Sequence, residues 1–100
     1  MKPNSTKAVP AVLSLDQLPS HRWATVLGVA RSGGAAEKDD DELALRLTEI
    51  GFVPGEAVRI VASGVPGREP LAVRLGHTTF ALRRHEAAFV RVTPGAEHHG

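Results

Sequence analysis

The chain has no cysteine and no tyrosine, and it is poor in aromatics of any kind. Each absence removes a class of protein. Without cysteine there is no disulfide scaffold, no thiolate zinc site, no iron–sulfur cluster and no cysteine nucleophile, and a reducing compartment fits. Aromatics make up 4% of the 100 residues, so aliphatic side chains must fill any core. No apolar run approaches the roughly 20 residues of a membrane-spanning helix. The stretch Met1 to Val12 lacks the apolar segment of a secretion signal, which points to the cytoplasm. The formal net charge is +1, and arginines and acids balance between Asp40 and Val92. A general attraction to nucleic acid or anionic lipid is therefore not expected.

An apolar content of 42% is enough for one compact core, and the length allows one domain. Residues 1–12 read as a flexible N-terminal tail, 13–93 as the domain and 94–100 as a C-terminal tail. Leu13, Leu15 and Leu18 start an apolar pattern that Pro19-Ser20 breaks. Trp23 to Val29 is rich in β-formers and reads as a first strand, with Thr25, Leu27 and Val29 on one face. Arg31 to Asp40 has the composition of a mobile loop. A helix is expected from near Asp39 or Asp40, where Asp39 and Glu42 have capping-box spacing. Leu43, Leu47 and Ile50 would form its apolar face.

The most informative stretch runs from Leu45 to Gly55. Gly51 stands where a helix needs a left-handed cap. Pro54-Gly55 supplies the two central residues of a type II turn, because proline presets the first φ and glycine accepts a positive second φ. A strand follows from Glu56 to Ala62, with Val58, Ile60 and Ala62 on one face. Leu71, Val73 and Leu75 alternate in the next strand. Gly76-His77 has the pattern of a type II′ hairpin. Thr78, Phe80 and Leu82 then face inward, Arg83 to Ala88 makes a short helical turn, and Phe89 to Val92 closes the series with Val90 and Val92 inward. The expected fold is mainly β: a small barrel of about five antiparallel strands, with one α-helix between strands 1 and 2 and a helical turn before the last strand.

This ordered series resembles the ferrous-iron transport protein A (FeoA) family. The match is carried by Leu45 to Gly55 with Val58-Arg59-Ile60-Val61, then Pro70 to Leu75, Thr79 to Ala87, and the apolar pair Val90 and Val92. It extends over about Leu13 to Val92. The resemblance implies an SH3-like β-barrel in the cytoplasm that binds and regulates a membrane ferrous-iron permease carrying a GTPase domain. It implies no cofactor beyond weak association with Fe(II) or another divalent cation. Nucleic acid is not an expected partner, membrane association would come only through the permease, and homo-oligomerisation stays open. A similar barrel ends some metal-dependent transcriptional repressors, so a repressor-type module is the alternative, with a small iron-binding carrier as a third. Two departures from the family stand out. The loop over residues 31–39 is long, and His85 stands where an acid is common.

No serine lies in a nucleophile motif, so an enzyme is not expected. Phe52, Pro54, Arg83 and Arg84 are the candidate partner-binding residues, while Leu47, Gly51, Gly55 and Gly76 are structural. Arg83 or Arg84 could meet an acidic surface or a phosphate through the guanidinium fork. The alternative for each is pairing with Glu86 or capping a carbonyl. Phe52 and Trp23 belong either to the core or to an interface. The histidines (His21, His77, His85, His98 and His99) show no helical metal-site spacing, although His98-His99 could take up metal adventitiously.

Overall fold

A computed structural model describes residues 11–30, 37–64 and 69–95. Six strands, two α-helices and one 3-10 turn appear in the order β1 (Leu13–Ser14), the turn Leu15–Gln17, β2 (Trp23–Val29), α1 (Glu37–Ile50), β3 (Ala57–Ser63), β4 (Leu71–Leu75), β5 (Thr78–Leu82), α2 (Arg84–Ala87) and β6 (Val90–Pro94). All strand pairs are antiparallel, in the order β1-β6-β2-β3-β4-β5. The architecture is mainly β, of the expected SH3-like kind, with the helix between the first long strand and the next.

The core is aliphatic, as the composition demands. Leu15, Ala24, Val26, Val58, Val73, Ala87, Val90 and Val92 have no exposed surface. Burying one such Val or Leu side chain contributes roughly 1.5–3 kcal/mol. No polar or charged residue is buried among the described residues.

Helix α1 ends by a Schellman motif. The Phe52 N–H donates to the Leu47 carbonyl and the Gly51 N–H to the Thr48 carbonyl, both at 3.1 Å. Gly51 takes φ 124° to do so. The chain then turns at Pro54-Gly55, where the Glu56 N–H donates to the Val53 carbonyl at 3.2 Å and Gly55 has φ 97°. This is the hydrogen bond and the φ sign of the type II turn. Gly76, at φ 61°, opens the two-residue link between β4 and β5.

Several elements depart from expectation. Residues Leu13 to Gln17 form a short strand and a turn, adding a sixth strand. The helix begins at Glu37, so Asp39 lies inside it and cannot be its cap. Residues 37–40 are thus helical, while the rest of the expected loop, 31–36, lies outside the described residues. The apolar face of α1 is Leu43, Ala44 and Leu47; Ile50 is 37% exposed. Two β-bulges explain the misassigned strand faces. One lies between Val26 and Gly28, so Ala24 and Val26 are buried while Leu27 is exposed and Val29 packs on the core. The other lies between Ile60 and Ala62 and turns Ala62 outward. A bulge adds one residue to one strand and reverses the in–out alternation beyond it. Thr78, at the hairpin end of β5, is exposed, and β6 reaches Pro94.

Candidate interaction surfaces

The segment after β5 builds one corner of the molecule. Arg83 precedes α2, and its N–H donates to Glu86 Oε1 at 2.9 Å, half of a capping box. The Arg84 N–H donates to Glu69 Oε2 at 2.8 Å. From the same residue, Nη2 donates to the Asp16 carbonyl at 2.9 Å. Arg84 is therefore engaged by two distant parts of the chain. Arg83 differs: its guanidinium lies 3.8 Å from Glu69 Oε1 and its side chain is 70% exposed. The expected local pairing with Glu86 is made by the Arg83 backbone N–H, Arg84 instead reaches distant partners, and the Arg83 side chain remains presented to solvent.

Phe52 is 1% exposed and packs against Phe80, ring centroids 6.3 Å apart at 50°. It is a core residue, and its place among the candidate contact residues is corrected accordingly: an enclosed ring offers a partner no surface. Pro54, by contrast, stands exposed on its turn, and Leu47 is buried on the inner face of α1. The four named residues do not form one patch of accessible side chains, because Phe52 faces inward and Arg84 is held.

A second surface was not anticipated as a unit. Trp23, Arg59 and Arg74 are successive cross-strand partners on β2, β3 and β4. Partners of this kind stand side by side on one face, and the neighbouring Val58, Ile60 and Val73 are buried on the other. The Arg59 guanidinium carbon sits 5.3 Å from the Trp23 ring centroid, within cation–π range. His21, at φ 71°, and His77 in the hairpin flank the row. Two strings in the sequence, Val58-Arg59-Ile60 and Val73-Arg74-Leu75, each place an arginine between inward apolar residues. Their outward direction is readable from that alternation. Their alignment is not, because the long connection between β3 and β4 leaves the register to tertiary packing.

A third exposed feature is apolar. Leu45 on α1 is 59% exposed and Leu27 on β2 is 43% exposed. Among the described residues, no group of three or more His, Asp or Glu could hold a metal ion. His98 and His99 lie outside those residues. No helix of the described residues is long and apolar enough to cross a membrane.

Comparison with known proteins places this arrangement. The FeoA domain model matches residues 13–94. A structure of Stenotrophomonas maltophilia FeoA complexed with zinc is 46% identical, with TM-score 0.67, over 80% of this chain and 88% of that one. That protein is described as an SH3-domain protein and put forward as a bacterial ferrous-iron transport activating factor. A FeoA-like protein from Clostridium acetobutylicum is 22% identical, with TM-score 0.70, over 92% and 96% of the two chains, and shares the fold. A manganese-dependent transcriptional repressor also shares the fold, at 16% identity and TM-score 0.68, over 87% of this chain and 44% of that one. A search of curated proteins by sequence found no match. The identity to the S. maltophilia protein and the family match across both the helix-stop motif and the six-stranded sheet make this chain a member of the FeoA family.

Proposed function

We propose that this protein is an accessory factor of ferrous-iron uptake that binds and regulates a membrane ferrous-iron permease through the permease's cytoplasmic GTPase-containing portion. The observation that carries this reading is the family match over residues 13–94. The structure supports a binding role in two ways. Its outward sheet face carries an arginine-rich row, and leucines on α1 and β2 stand exposed. The protein acts by contact, not by carrying iron, and reaches the membrane only through its partner. Arg83 and Pro54 are accessible contact residues on this reading; Arg84 shapes the corner that presents Arg83.

The test pairs an interaction with a phenotype. The purified chain is mixed with the permease's cytoplasmic domain under each nucleotide state, with and without Fe(II), and retention is measured. Retention in at least one state is expected, together with reduced Fe(II) uptake in a strain lacking the gene. No retention in any state, combined with normal uptake, overturns the proposal.

A further inference from the structure

The outward row on β2, β3 and β4 carries two arginines directly opposite one another, Arg59 and Arg74. Like charges in that relation repel and destabilise a sheet unless something neutralises them. Nothing in the described fold does. Arg83 pairs with Glu69, but neither Arg59 nor Arg74 has a carboxylate within salt-bridge distance among the described residues. Glu56, beside Gly76 at the rim, pairs with neither. Arg74 spends one donor on a long 3.4 Å bond from Nε to the Gly76 carbonyl. Arg59 is more telling. Its Nε is buried and has no hydrogen-bond partner. A buried unpaired donor on a charged group is costly, so the Arg59 guanidinium is held partly desolvated with its charge uncompensated.

The surroundings select the acceptor. His21, Trp23, Arg59, Val61, Arg74 and His77 line a shallow surface groove of about 430 Å³. The Trp23 indole and Val61 supply apolar surface beside the guanidiniums. A nucleic acid needs an extended basic track with repeated phosphate contacts, and the near-neutral chain offers none. A carboxylate matches the guanidinium fork in a two-point hydrogen bond. An apolar residue next to that carboxylate would lie on the indole and Val61.

We propose that the Trp23–Arg59–Arg74 face is a docking site for a short acidic peptide segment of a protein partner, one in which glutamate or aspartate adjoins an apolar residue. This rests on the reading of the chain as a binding module, and it names the chemistry of the partner's contact. The peptide's carboxylate would sit between the two guanidiniums, meet their remaining N–H groups and cancel the repulsion across β3 and β4.

The experiment is an NMR titration of the full chain with a synthetic peptide of alternating glutamate and leucine. Parallel titrations use the lysine–leucine analogue, inorganic phosphate and a single-stranded oligonucleotide. The Trp23 indole N–H is a specific reporter, because this is the chain's one tryptophan. The glutamate–leucine peptide should shift that signal and the amides of β2 to β4, and the lysine analogue should not. Arg74→Glu, at an exposed position, should weaken peptide binding about tenfold or more while the spectrum stays folded. Arg59→Gln should weaken it likewise, and Arg46→Glu, exposed on α1 and outside the groove, should bind as the parent does. An unmoved indole signal overturns the proposal, as does undiminished binding by Arg74→Glu. A stronger response to phosphate or oligonucleotide than to the acidic peptide overturns the assigned chemistry. No permease enters this experiment, so its failure is separable from failure of the permease interaction.

Discussion

Gly51 is held by two constraints that act together. Its φ of 124° lies in a region that side-chain-bearing residues rarely occupy, and an added Cβ would come 3.1 Å from Leu75 Cδ2. The strained conformation alone costs of order 1–3 kcal/mol. Gly51→Ala should therefore lower the melting temperature, by about 4–8 °C for each 1 kcal/mol lost in a domain of this size. A thermal melt matching the parent's would show that the helix stop tolerates a side chain. This residue was legible in the sequence because a helix stop, a Pro-Gly turn and a Gly-led hairpin are local chemistry. Phe52, one position on, was not. Whether its ring turns in or out depends on Phe80, far along the chain, and no local pattern encodes that meeting.

The elements show the same division between local and distant causes. Strands with regular alternation, such as Leu71–Leu75, have the faces their sequence implies. Where a bulge intervenes, in β2 and β3, the alternation in the sequence continues but the faces exchange. The segment Leu13 to Gln17 was the least readable, since two strand residues and a three-residue turn are too short for any period. Its importance is nonetheless large. Leu13 pairs with Val92 and Ser14 with Arg91, and Leu15 is fully buried. Leu15→Ala should destabilise the protein by about 2–5 kcal/mol, the range for emptying a buried leucine site. A small domain has few kcal/mol to lose, so chemical denaturation should show a midpoint moved far toward zero denaturant, or no folded baseline. A midpoint close to the parent's would mean that this segment is an appendage and not part of the core.

At the scale of the molecule, the sheet order β1-β6-β2-β3-β4-β5 leaves β1 and β5 as its two ends. The segments that follow those ends, the turn Leu15–Gln17 and helix α2, lie against each other. Arg84 joins them: its backbone N–H is held by Glu69, ahead of β4, and its guanidinium donates to the Asp16 carbonyl. Arg83, its neighbour, is mostly exposed and makes one long ion pair, which at a surface contributes about 0–1 kcal/mol. The pair of adjacent arginines thus separates into a strut and a free-facing contact. Arg84→Met keeps much of the stem but removes the bond to Asp16, and should cost about 1–3 kcal/mol. Arg83→Ala should change stability by no more than about 0.5 kcal/mol. Native-state hydrogen exchange locates the effect: Arg84→Met should speed exchange in β1, the adjoining turn and α2 together, because the contact that links the sheet's ends has been cut. Equal behaviour of the two variants would mean that the ends are joined by apolar packing alone. In that case Arg84 would be as available to a partner as Arg83, and the corner would present both guanidiniums.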